Sequence, residues 1–138
     1  MKIQFSQVTR TEGQYKWNED GCEQRETKET LFKSLIKCIN NKIEQNPIKI
    51  YIGKSTGQEN LNRRKKTHQI KKYDEFIVIC TSHSETLQDE IETYLNNYIR
   101  TKFPHLSGNS KDNGDEGRLQ KTIQNPVRYN YLCCQNKM

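Results

Sequence analysis

Hydrophobic residues along the chain fall into short patterned stretches separated by polar, turn-forming segments. Lys2-Ile3-Gln4-Phe5-Ser6-Gln7-Val8 alternates and predicts a short edge strand. Residues 9–30 are polar and carry only Tyr15, Trp17 and Cys22 as large buriable groups, so residues 1–30 are expected to be an extension packed on a core formed by residues 31–138. Leu31, Phe32, Leu35, Ile36 and Ile39 fit a helical face as well as a strand. After the turn chemistry of Asn40, Asn41 and Gln45-Asn46-Pro47, Ile48-Lys49-Ile50-Tyr51-Ile52 alternates as a strand ending at Gly53.

Ser55-Thr56-Gly57 reads as a loop, with Asn60 as the cap of a basic helix running to about Tyr73. Phe76-Ile77-Val78-Ile79-Cys80 is continuous and β-branched, the mark of a strand buried on both faces. Ser84 has the look of a cap, and Leu87, Ile91, Tyr94, Leu95 and Tyr98 form one apolar stripe on a helix that Pro104 ends. Ser107 to Gly117, with three Gly, two Asn and two Asp, reads as a mobile loop. The last stretch, with Val127, Tyr129, Tyr131 and Leu132, alternates in a way that could return it to the sheet.

Composition narrows the reading. The chain has 138 residues, enough for one domain with a modest core, and its mean hydropathy of -1.08 is near the polar edge of globular behaviour. It contains no alanine, so its apolar residues each bury much area. The net charge is +6, and it is local. Arg63, Arg64, Lys65, Lys66, Lys71 and Lys72 lie between Leu61 and Lys72 with no acid among them, leaving 17 bases against 17 acids elsewhere. No apolar run approaches the roughly 20 residues of a bilayer helix, and no apolar leader opens the chain, so an intracellular protein without membrane contact is expected. Arg63 to Lys66 also read as a nuclear-localisation run, which keeps the nucleus open for a eukaryotic chain. The five cysteines are odd in number and two lie in apolar runs, so free thiols are expected. Cys22 with Cys133 and Cys134 lacks the spacing or the histidine of a zinc site.

The basic helix is where chemistry concentrates. Arg64 and His68, four residues apart, share one helical face and can address a single anion. A guanidinium offers a planar fork of donors to a phosphate, and an imidazole donates to an oxygen or shuttles a proton. Tyr51 at the strand edge, beside Gly53, is placed to hold or deprotonate a water, and a nearby carboxylate would bind a divalent cation that neutralises charge on a phosphodiester. Such parts together hydrolyse a nucleic-acid backbone.

At this point the residues resemble the GIY-YIG nucleases, over about Leu35 to Asn109. Lys49-Ile50-Tyr51-Ile52-Gly53-Lys54-Ser55 is similar to the second signature, and Asn60-Leu61-Asn62-Arg63-Arg64-Lys65-Lys66-Thr67-His68 to the family helix, with a leucine three before the key arginine and a Tyr or His four after it. The resemblance implies a catalytic glutamate on the helix after the third strand. Glu92 is the first choice and Glu90 the rival, while the late family asparagine falls near Asn109. The first signature departs from the family: Leu35-Ile36-Lys37-Cys38-Ile39-Asn40 takes the place of the Gly-Ile-Tyr strand, and Lys37 stands where its tyrosine would be. Lys37 or Lys54 is the candidate to take over a proton.

The expected fold is α+β: a small, mainly antiparallel central sheet of three strands at about 35–40, 48–53 and 75–81, flanked by helices at about 60–72 and 84–102. The expected function is a divalent-metal-dependent endonuclease using Mg²⁺ or Mn²⁺. Tyr51 activates water, Arg64 and His68 hold the scissile phosphate and leaving oxygen, Glu92 binds the metal, and Lys54, Arg63, Lys65, Lys66, Lys71 and Lys72 grip the backbone. The partner is a nucleic acid, DNA in preference to RNA, with a homodimer or a protein partner left open. The competing readings are a catalytically impaired nucleic-acid-binding or assembly subunit of the same fold, and a protein-interaction module whose basic helix docks on an acidic partner. Taken alone, Tyr51 reads as a strand tyrosine, Glu90 and Glu92 as surface acids, and Tyr15, Trp17, Tyr129 and Tyr131 as packing groups in preference to base-stacking ones.

Overall fold

The computed structural model describes residues 1–6, 28–108 and 126–136. The expectations placed on Tyr15, Trp17, Cys22, Asn109 and most of the 107–117 loop lie outside them. In chain order the elements are β1 (Ile3–Phe5), α1 (Lys28–Ile43), β2 (Lys49–Thr56), α2 (Gln58–Ile70), β3 (Glu75–Ser82), α3 (Glu85–Lys102), a 3₁₀ turn (Pro104–Leu106) and β4 (Arg128–Gln135).

The chain is α+β, but its sheet differs from the expected one. Among the described residues it has four strands in the order β1-β3-β4-β2 and is mixed: β1 runs parallel to β3, while β4 runs antiparallel to both β3 and β2. The stretch 35–40, expected as its first strand, lies inside helix α1. The physical reason is period. Leu31, Leu35 and Ile39 recur every four residues and are wholly buried, while Lys37 faces solvent, as a helix with one apolar stripe requires. Glu29 in the first turn and Lys42 in the last complement the helix dipole.

The central place is held by the C-terminal strand. Every residue of β4 from Tyr129 to Cys134 is buried, because neighbours cover both its edges and helices cover both its faces. Its even-numbered Leu132 and Cys134 join Ile50, Ile52, Ile77 and Ile79 in a core roofed by Leu31, Leu35 and Ile39 of α1 and Leu87, Ile91, Leu95 and Ile99 of α3. Its odd-numbered Tyr129, Tyr131 and Cys133 face the other way, with Phe76, Val78, Tyr73 and Leu61 beside α2. The two faces thus carry different chemistry, aliphatic under α1 and α3, aromatic under α2.

The connections follow from local residues. The Ser84 Oγ accepts from Leu87 N at 3.1 Å and starts α3, as the sequence suggested. Helix α2 begins at Gly57, whose φ of 87° turns the chain directly from strand to helix. Asn60, expected as its cap, instead donates to the Thr56 carbonyl at 2.9 Å. The strand expected to end at Gly53 continues to Thr56, paired residue by residue with β4. Among the described residues no helix is long and apolar enough to cross a membrane.

Candidate active site

Strand β2 lies at one edge of the sheet, and the residues singled out in the sequence gather along it. Tyr51 points to the α2 face, where its ring lies 4.4 Å from that of His68 and 6.4 Å from that of Tyr131, with which it is stacked at 22°. Gly53 is directly opposite Tyr131 in the β2–β4 register. Because Gly53 has no side chain, the Tyr131 phenol passes over it: a Cβ there would stand 2.6 Å from both Cζ and Oη of Tyr131. The missing side chain at Gly53 therefore lets the wholly buried Tyr131 ring lie against the β2 backbone.

Tyr131 is held from behind. Its ring stacks on Phe76 at 4.4 Å, and its Oη is 3.1 Å from His68 Nε2. His68 is 3% exposed, inside a box of Tyr51, Tyr73, Phe76 and Tyr131. The position four residues beyond Arg64, expected to meet a phosphate directly, meets Tyr131 instead. Burial, helped by the positive charges of Lys71 and Arg64, lowers the His68 pKa to about 4, so the imidazole is neutral at pH 7. Burial also raises the pKa of Tyr51, and that of Tyr131 well above its ordinary value, and both phenols keep their protons.

On the α3 side of the same edge, Lys54 Nζ lies 2.5 Å from Asp89 Oδ1 and 3.7 Å from Glu92 Oε1. Burial disfavours the Lys54 ammonium, but the two carboxylates outweigh that and raise its pKa. Burial raises the Glu92 pKa, and the Asp89 charge adds to it, against the pull of Lys54 and Arg64. The charge of Glu92 is felt at both Tyr51 and Tyr131, and so is that of Arg64. Arg64 acts on Tyr51, His68, Glu92 and Tyr131 alike, which places it at the junction of the two sides.

The expected residues are thus divided. Tyr51, Arg64, His68, Lys54 and Glu92 converge; Glu92, and not Glu90, carries the link to Lys54. Arg63, Lys66, Lys71 and Lys72 are exposed on α2 and the turn that follows it, Lys65 is half-buried, and only Leu61 and His68 of that helix are buried. Lys37 is on the outer face of α1 and takes no part. Two members were missed in the sequence, Tyr131 and Asp89. The alternation at 127–132 announced a strand, but nothing local in it announced the sheet's centre.

Two carboxylates that already converge on one ammonium suit a cation. Among the described residues no group of three His, Cys, Asp or Glu side chains gathers around one point. Asp89 and Glu92, now paired with Lys54, are the side chains that could hold a hard cation, which binds through one or two carboxylates and keeps most of its waters. No protein-family model matches the chain, and comparisons with curated proteins and with solved structures give no match either.

Proposed function

We propose that the chain is a divalent-metal-dependent endonuclease that hydrolyses phosphodiester bonds of DNA in the manner of the GIY-YIG nucleases. The observation that supports this is the convergence at one sheet edge of two phenols, a guanidinium and a carboxylate pair: Tyr51 and Tyr131, Arg64, and Glu92 with Asp89. The tyrosine for which the first signature offers only Lys37 is supplied in this reading by Tyr131, from the strand beside the second signature. Tyr51 orients the attacking water, the Arg64 fork holds the scissile phosphate, and His68 holds Tyr131 in place. Glu92 and Asp89 hold Mg²⁺ or Mn²⁺, which when bound neutralises charge on the phosphodiester. Lys54 then turns from the carboxylates to the substrate backbone, while Arg63, Lys65, Lys66, Lys71 and Lys72 grip flanking phosphates.

The test incubates the purified chain with labelled single-stranded, duplex and branched DNA, and with RNA of the same forms, in Mg²⁺ or EDTA. Cleavage is expected in Mg²⁺, is lost in EDTA, and falls by about 10²–10³-fold in Arg64→Ala and in Glu92→Gln. Cleavage that survives both EDTA and Glu92→Gln overturns the mechanism. Binding without cleavage assigns the chain instead to a nucleic-acid-binding subunit.

A further inference from the structure

Four ionic groups converge beside the edge strand β2: Asp89 and Glu92 carry negative charge, Lys54 and Arg64 positive charge. Lys54 Nζ bridges the two carboxylates, 2.5 Å from Asp89 Oδ1 and 3.7 Å from Glu92 Oε1. The charge of Arg64, on α2, also acts on Glu92. Two negative charges therefore stand against two positive ones, and these four groups sum to zero.

That balance bears differently on each ligand alone and on the two together. A divalent cation entering alone must displace Lys54 from both carboxylates, and the displaced ammonium and Arg64 then oppose it. A phosphate entering alone draws on Lys54 and Arg64, and leaves Asp89 and Glu92 unpaired beside it. When both enter, the phosphate receives the ammonium that the cation displaces, and each ligand offsets the charge that would oppose the other. Lys54 is placed to make this exchange, because its side chain is 40% exposed and an ion pair so open to water holds its partners weakly.

We propose that Lys54 is an internal counter-ion that couples the two ligands: it occupies the cation position on Asp89 and Glu92 until a phosphate oxygen takes its ammonium, so that a divalent cation and a phosphate raise each other's affinity. The inference rests on the proposed function and adds to it a dependence of metal binding on the substrate backbone. Such coupling is reciprocal, since the factor by which the oxyanion strengthens cation binding is the factor by which the cation strengthens oxyanion binding. The chain alone therefore holds a divalent cation weakly, and holds it more firmly beside a phosphate. Lys54 sets this linkage without being a metal ligand.

The experiment follows Mn²⁺ binding through the EPR signal of the free ion, for the parent, Lys54→Met and Lys54→Arg, in chloride and in sulfate at equal ionic strength. Sulfate is the probe oxyanion because it is tetrahedral like phosphate and cannot be cleaved. In chloride, Lys54→Met should bind Mn²⁺ about two- to fivefold more tightly than the parent, the span expected for loss of an exposed ion pair, whereas Lys54→Arg should stay near the parent. Sulfate should tighten Mn²⁺ binding by the parent, and by a smaller factor in Lys54→Met. Binding by Lys54→Met that equals or falls below the parent's, or a sulfate effect of the same size in both, overturns the proposal. No nucleic acid is present, so the outcome is separable from that of the cleavage assay. Coupling in a chain that cleaves nothing overturns the nuclease reading and leaves the role of Lys54 standing, and cleavage without coupling does the reverse.

Discussion

Gly53 and Tyr131 face each other across the β2–β4 pair, and the phenol of one occupies the space where a side chain of the other would be. Gly53→Ala therefore acts on the site through packing. Its Cβ would meet Tyr131 at 2.6 Å and Tyr51 Cε1 at 2.8 Å, and Tyr131 has no free retreat because Phe76 lies against its other face. Overpacking of this kind costs about 1–3 kcal/mol, which urea unfolding should register. Under the proposed function cleavage should fall by more than that loss of stability accounts for, since the added Cβ displaces both Tyr131 and Tyr51. Equal activity per folded molecule would separate Tyr131 from the chemistry.

The burial of His68 makes stability depend on pH in a defined direction. Its folded pKa of about 4 lies below the ordinary 6.5, so the fold favours the neutral ring. That contribution is fully present above pH 6.5 and is lost as pH falls through the interval down to about 4. At 1.36 kcal/mol per unit, the loss is up to about 3 kcal/mol. Carboxylates titrate in the same range in any variant, so the measurement is the difference between the parent and His68→Gln in urea midpoints from pH 7.5 to 4. The parent should lose its advantage over the variant across that window. A constant difference would mean that His68 is not held neutral.

The exposed bases of α2 and its following turn should govern affinity in a way that salt reveals. Arg63, Lys66, Lys71 and Lys72 stand clear of the core, so their removal leaves the fold intact. Deleting one phosphate-binding cation should reduce the slope of log affinity against log salt by about 0.9 on duplex DNA, or about 0.7 on a single strand. Fluorescence anisotropy from 50 to about 200 mM salt on Lys66→Ala and Lys71→Ala measures this. An unchanged slope in both variants would move the nucleic acid off this helix.

Much of this arrangement was legible in the chain because it depends on local patterns. Tyr51 to Gly53, the Arg64–His68 spacing, the Ser84 cap and the Leu87, Ile91 and Leu95 part of the α3 stripe are set by residues within one element, whereas Tyr94, expected on that stripe, is exposed. Two features were not legible, for a common reason. Leu31 to Ile39 fits a helix or a strand equally, and only its neighbours in space decide, here by giving Leu31, Leu35 and Ile39 one shared apolar face to enter. Tyr131 lies 78 positions beyond Gly53, its partner in the sheet. Strand order is a long-range property, and nothing in a stretch of eight residues states which strands will flank it.

The placement of the C-terminal strand makes a clear contrast between two residues, Lys37 and Tyr131, that compete for one role under the proposed function. Lys37 projects from the solvent side of α1, away from Tyr51 and Arg64, so Lys37→Ala should leave both stability and cleavage within error of the parent. Tyr131→Phe keeps the ring, its stack on Phe76 and most of its buried area, but removes the oxygen that bonds His68. Its cost in stability should be about 1–3 kcal/mol, the usual cost of leaving a buried partner unsatisfied. Its cost in cleavage should be about 10²-fold or more, if the hydroxyl meets the phosphodiester. The decisive measurement is kcat for the two variants side by side, each corrected for its folded fraction. A loss at Lys37 with none at Tyr131 would place the catalytic role on α1, against the geometry of the sheet.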